Sequence, residues 1–230
     1  MTGISDGFRF LLKRPRMTES EWAKAMEAAV KFLANPVESA LEDLNVRRWM
    51  LLAAIAEVRP LLFHGTSHSD IQTFNPRQSE DTNPFGAQLA VYATRDPLWA
   101  MFYAILDRKP PFSLHNGCFQ MIEDSGARSD PYYFFSIERH ALQRRAFSSG
   151  FIYFLPRETF VREPISTVQG AKVDVDHWAS LEPVSPIAKI WVCPEDFPFL
   201  DQIRGHDDTT LWTRMADDPE RFPWVDELYD

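Results

Sequence analysis

Cysteine is scarce in this chain. Cys118 and Cys193 are the only two among 230 residues, and they stand far apart. Two thiols make no disulfide framework, so nothing calls for an oxidising compartment. Long apolar runs are missing as well. Trp49 to Ala56, and even the longest, Leu98 to Leu106, fall well short of the roughly 20 residues that cross a bilayer. The first 17 residues hold no apolar core of signal-peptide length ahead of Lys13-Arg14-Pro15-Arg16. These absences predict a soluble, cytoplasmic protein with no membrane partner.

An excess of positive charge is also lacking. Residues 1–165 balance to zero, so the whole net charge of −9 falls in residues 166–230. It is densest at Asp207-Asp208, Asp217-Asp218-Pro219-Glu220 and Asp226 to Asp230. An acidic face repels phosphate, so general electrostatic affinity for nucleic acid is not expected. A nucleic-acid acceptor held elsewhere on the surface is not excluded by it. No Gly-x-Ser-x-Gly elbow and no phosphate-binding glycine loop is present. His64 and His68 are four apart but have no Glu-x-x-His context, and His115 with Cys118 lacks a second pair, so no metal is expected. No internal repeat or low-complexity tract interrupts the chain.

What the chain does have is apolar and aromatic residues enough for a sizeable core: 45% apolar, with 18 Phe, 7 Trp and 6 Tyr. Residues 18–58 read as helices. Thr18 and Glu21 have capping-box spacing, and Trp22, Ala25, Met26, Ala29 and Val30 recur at helical spacing. Asn35-Pro36 is expected to start a second helix, with Val37, Leu41, Leu44 and Met50 to Ile55 as its apolar side and Pro60 as its stop. From Leu61 the texture changes to short strands: Leu61–His64, Leu89–Ala93, Tyr132–Ile137, Phe151–Leu155 and Ile187–Val192. Pro97–Asp107 and Arg139–Ala146 read as helices between them, and Val168–Ala179 as a loop. Asp201–Tyr229 reads as a peripheral helix and tail. The expected class is α+β: a helical extension over 1–60, a mostly antiparallel core over 61–200, and an acidic segment over 201–230 packed on it.

Two short segments carry the chemistry. One is Phe63-His64-Gly65-Thr66. The other is Tyr92-Ala93-Thr94, with Asp96, Ala100 and Tyr103 following and Phe85-Gly86 ahead of it. Tyr103 lies eleven residues beyond Tyr92, on the next helix. Taken singly, each residue has an ordinary reading. A histidine at a strand end is commonly a satisfied structural residue, and tyrosines on a strand and its helix are commonly core.

Taken in this order, the segments resemble the ADP-ribosyltransferases of the diphtheria-toxin and poly(ADP-ribose) polymerase branch, named for a His, a Tyr and a Glu. The likeness covers about residues 61–105 well and 178–193 loosely. It implies a split antiparallel sheet and NAD as co-substrate. It implies that His64 meets a ribose hydroxyl and that the Gly65 backbone holds the carboxamide. Tyr92 and Tyr103 would sandwich the nicotinamide, with Thr66, Ala93 and Thr94 beside them. The family's glutamate opens a later strand, bonds the ribose 2′-hydroxyl and stabilises the cation. The best match is Glu182, just ahead of Ile187–Val192, with Glu195 as runner-up.

The chemistry suits these residue types. Breaking the nicotinamide–ribose bond develops positive charge on the sugar, as in glycoside cleavage, and a nearby carboxylate stabilises it. Flat aromatic faces hold a flat ring, and glycine lets a backbone come close. Arginine-modifying members of the families that this chain resembles carry Glu or Gln two before that glutamate; Ser180 stands there in this chain, so the resemblance disfavours an arginine acceptor of that type. The expected activity is mono-ADP-ribosyl transfer to a macromolecular acceptor, protein or nucleic acid, by a bacterial toxin or defence effector. An antitoxin or a chaperone is the expected further partner. Three competitors stand beside it: an RNA 2′-phosphotransferase, an NAD hydrolase, and an inactive binding module of the same fold. Arg139, His140, Arg144 and Arg145 beside Phe147 form a small basic cluster, read as a solvated face or an acceptor contact. Acceptor choice is expected to lie in Val168–Ala179 and in residues 106–130.

Overall fold

The structure is a computed structural model, and it describes residues 11–37, 45–79, 81, 83–168 and 170–218. In chain order the elements begin with β1 (Leu12–Lys13), α1 (Glu19–Ala34), α2 (Arg48–Val58), β2 (Leu62–Thr66), β3 (Arg77–Gln78) and β4 (Leu89–Ala93). Then come α3 (Pro97–Ala104), β5 (Leu114–Ile122), β6 (Tyr132–Glu138), α4 (Arg139–Gln143), β7 (Gly150–Leu155), β8 (Val161–Arg162) and β9 (Ser166–Val168). The last are β10 (Ala171–Val175), β11 (Trp178–Ser180), β12 (Ala188–Val192), β13 (Arg204–His206) and α5 (Asp208–Asp217).

The expected class holds: the chain is α+β, and its strand pairs are antiparallel except β13 on β6. One sheet runs β9-β10-β5-β6, with β1 and β13 taking successive stretches of the outer edge of β6. A second runs β3-β4-β11-β8, and a third runs β12-β7-β2. The second and third meet at a single bridge. Phe63 donates to the Thr94 carbonyl at 2.7 Å, and Thr94 returns the bond at 3.1 Å. No helix among the described residues is long and apolar enough to cross a membrane.

Local chemistry explains the helices. Thr18 caps α1, its hydroxyl accepting from the Glu21 amide while the Glu21 carboxylate accepts from the Thr18 amide. Asn35 does not open a second helix. It closes the first, donating to the Phe32 carbonyl, and Pro36 and Val37 are not helical. Leu41 and Leu44 lie outside the described residues. The second helix starts at Arg48 and ends before Pro60, which has no amide hydrogen to extend it.

Asp96 caps α3, accepting from the amides of Leu98 and Trp99, and Pro97 takes the first turn. Every residue of α3 is buried except Tyr103. Two glycines let this helix lie against the third sheet. A β-carbon on Gly65 would stand 1.8 Å from the Ala100 carbonyl oxygen, and one on Gly150 would stand 2.0 Å from that of Ala104.

α1 and α2 share one hydrophobic core with the strands. Phe32 meets Phe154 edge-on at 5.8 Å, Phe63 meets Phe154 at 5.3 Å, and Leu51, Leu52 and Phe102 lie in the same cluster. The expected loop over Val168–Ala179 is largely strand instead, since it holds β10 and most of β11. Residues 106–130 likewise contain the nine-residue β5. In β10 the buried side chain beside Val173 is Asp174, held by Arg128 and Arg162, so a charged residue stands where an alternating pattern looks for an apolar one.

Candidate active site

The site lies where the second and third sheets part. Strand alternation fixes which groups face the gap. The amide and carbonyl of Phe63 point toward β4, so those of Gly65, two residues on, point the same way. Continuing the register from Phe63 and Thr94 would bring Gly65 opposite Tyr92, whose own amide and carbonyl face β2. The ladder does not continue. The Tyr92 carbonyl oxygen instead lies 2.7 Å from Nδ1 of His64. Gly65 therefore offers one amide and one carbonyl to the cleft with no strand partner among the described residues.

The bond to a carbonyl assigns the histidine tautomer. A carbonyl only accepts, so Nδ1 of His64 carries the hydrogen and Nε2 keeps a lone pair. Burial, with the charge of Arg77 acting the same way, lowers the pKa of His64 and outweighs the Tyr92 bond that raises it. The imidazole is neutral at pH 7, and Nε2 can accept a hydroxyl.

The cleft encloses about 200 Å³, less than the roughly 300–1,000 Å³ of whole small-molecule sites and room for one part of a dinucleotide. His64, Gly65, Tyr92, Ala93, Thr94 and Tyr103 all line it. Tyr92 anchors its hydroxyl on the carbonyls of Gln88 at 2.9 Å and Phe85 at 3.1 Å. Tyr103 donates to Oδ1 of Asn116 at 2.9 Å, and Trp99 donates to the same oxygen at 2.6 Å. Burial raises the pKa of both tyrosines, so both stay neutral phenols. Thr94 donates to Asp176 at 3.2 Å and accepts from the Asp96 amide. The Asp176 carboxyl is pushed up by burial, against the bond from Trp178.

Two expected residues are not brought to the cleft. Thr66 does not line it; its hydroxyl accepts from the His68 amide in the turn after β2. Glu182 does not line it either. It is exposed and lies beyond the end of β11, in a turn closed by Ser180 Oγ on the Glu182 amide and carbonyl. Ala179 pairs with Tyr92, so 179, and 177 just ahead of the strand, share the cleft face, whereas β11 ends at Ser180 and Glu182 stands in the turn past it. Glu195 sits apart, beside Pro15, Arg47 and Trp49. The basic cluster is also outside: Arg144 lies over Phe112 and donates to the carbonyls of Asp107 and Pro110, and His140 faces Glu138.

The cleft holds residues that sequence reasoning missed: Ser79, Asp81, Trp99 and His177. His177 immediately precedes β11, in what reads as loop, and Glu163 behind it is 19 residues ahead of Glu182. No local motif marks either one. Their signal is the pairing of β11 with both β4 and β8, which appears only in three dimensions. Comparison with family models, with curated proteins and with solved structures finds no match to this chain.

Proposed function

We propose that this cleft binds NAD and that the protein cleaves it, releasing nicotinamide and passing ADP-ribose to a macromolecular acceptor. The observation that carries the reading is the broken ladder between Gly65 and Tyr92. An amide and a carbonyl side by side suit a carboxamide, which needs one acceptor and one donor in return. Nε2 of His64 next to them suits a ribose hydroxyl. Tyr92 and Tyr103 bring aromatic surface to the same space. These are the groups that the resemblance to His-Tyr-Glu ADP-ribosyltransferases implies for the nicotinamide half of NAD. A toxin or defence role, with an antitoxin or chaperone as partner, rests on that resemblance alone.

Calorimetric titration with NAD, run beside a nicotinamide-release assay, tests the reading. Binding with release is expected, and absence of binding overturns it. Labelled NAD in lysate, followed by separate nuclease and protease digestion, then identifies the acceptor class.

A second reading has a specific observation behind it. Neither Glu182 nor Glu195 lines the cleft, as a binding module without turnover would allow. Binding without release would establish that reading. The phosphotransferase alternative needs arginines converging on the cleft, and none lines it among the described residues.

A further inference from the structure

We infer that His177, oriented by Glu163, accepts the proton of the acceptor that attacks the ribose in this cleft, and that the acceptor group is a hydroxyl. The inference rests on the NAD reading above.

His177 stands on the cleft face of the sheet, its ring centroid 4.9 Å from that of Tyr92 and 5.8 Å from that of Trp99. Nδ1 lies 3.1 Å from a Glu163 carboxylate oxygen. The other carboxylate oxygen accepts from Asn83 at 2.6 Å, and the Glu163 amide donates to the His177 carbonyl at 2.8 Å. Glu163 is only 9% exposed. An aromatic box around a histidine needs no buried carboxylate behind it, and burying one is costly unless it is paired. Here the pairing has a chemical consequence. With its Nδ1 hydrogen given to Glu163, the imidazole keeps a bare Nε2, which has no partner among the described residues. A histidine whose far nitrogen is held by a carboxylate is the arrangement of a general base.

The step balances as follows. The bond from ribose C1 to the pyridinium nitrogen breaks, and both electrons leave with nicotinamide, which becomes neutral. The acceptor oxygen forms its bond to C1 and gives its proton to Nε2 of His177. The imidazolium formed faces the Glu163 carboxylate, which stabilises it until the proton passes to water. The products are nicotinamide, the ADP-ribosylated acceptor and one proton. A neutral hydroxyl holds its proton tightly and needs such a base; water in its place gives free ADP-ribose.

The test compares the wild-type chain with His177→Ala, His177→Asn and Glu163→Gln. NAD affinity is read by calorimetry, and turnover by nicotinamide release with methanol as the probe acceptor. In His177→Ala and His177→Asn, kcat is expected to fall at least about 100-fold, with the NAD Kd within about threefold. Added imidazole restores part of the rate in His177→Ala, which a merely structural role for the ring would not allow. Glu163→Gln lowers kcat by about tenfold and leaves KM unchanged. Wild-type rates in both His177 variants overturn the inference. A wild-type chain that binds NAD but releases no nicotinamide also overturns it, while leaving the NAD site standing. A chain that binds no NAD overturns both.

Discussion

Nδ1 of His64 lies 2.7 Å from the carbonyl oxygen of Tyr92, where a regular ladder would have placed the amide of Gly65. One side chain thus replaces one backbone bond. The replacement fixes the imidazole tautomer and leaves the Gly65 amide, which faces the cleft, without a strand partner among the described residues.

A pH dependence follows from the buried neutral imidazole. Its pKa is lower in the folded chain than the ordinary 6.5, so the unfolded chain binds that proton more readily. The stability it contributes is complete above pH 6.5 and declines as pH falls below it. His64→Gln, which has no such proton to gain, should therefore gain stability relative to wild type between pH 7.5 and 5.5. Urea midpoints at the two pH values check this. A difference that does not change with pH counts against a neutral His64.

Gly65→Ala should destabilise the fold by about 3 kcal/mol or more, because overpacking a close contact commonly costs 1–3 kcal/mol and here the obstacle is backbone. The new β-carbon would meet the Ala100 carbonyl at 1.8 Å. Gly170→Ala is the control at a position with open space, although its positive φ of 77° adds a smaller strain. Denaturant unfolding measures both, and equal losses would show that the approach of α3 is not what requires glycine at 65.

Glu182→Ala and Glu195→Ala should each leave nicotinamide release within about twofold of wild type, since exposed substitutions away from a site change little. Glu182 is exposed in the turn after β11 and does not line the cleft, and Glu195 is on another part of the surface. Loss of release in Glu182→Ala, with Tm unchanged, would return the carboxylate role to that residue.

Asp96→Ala should cost about 3 kcal/mol, near the lower end for breaking a buried charged pair, because Arg14 is 31% exposed and partly screened. The substitution removes the α3 cap, the Arg14 ion pair and the bond from the Tyr133 hydroxyl at 2.7 Å. Asp96→Asn keeps the capping oxygen and should lose less. Equal losses in the two variants, by urea denaturation, would show that the charge contributes nothing.

Much of the local architecture was legible. Thr18 with Glu21 marks the start of one helix, and Asp96-Pro97 marks another, because capping depends on residues two or three apart. The aromatic runs at Tyr132 and Phe151 mark strands for a similar reason. The shortest strands were not legible. Trp178–Ser180 has three residues, too few for any alternation to show, and β10 hides a buried Asp174 among its apolar positions. Asn35-Pro36 misled because asparagine caps a helix at either end, and here it closes one.

For the site, the chain order alone determined one side: a histidine and glycine at one strand end, a tyrosine on another strand, and a second tyrosine on the helix after it. Tyr103 follows Tyr92 closely, but His64 is 28 residues ahead of Tyr92, and the Phe63–Thr94 bridge between two sheets is what brings them to one cleft. That a buried carboxylate backs a histidine of the cleft was decided by tertiary structure. In β11, pairing with β4 turns residues 177 and 179 inward, while pairing with β8 brings Glu163 up behind His177. Side chains alternate across a strand, so a shift of one residue reverses the face. The register that sets this parity comes from the partner strands, and no residue near His177 specifies it.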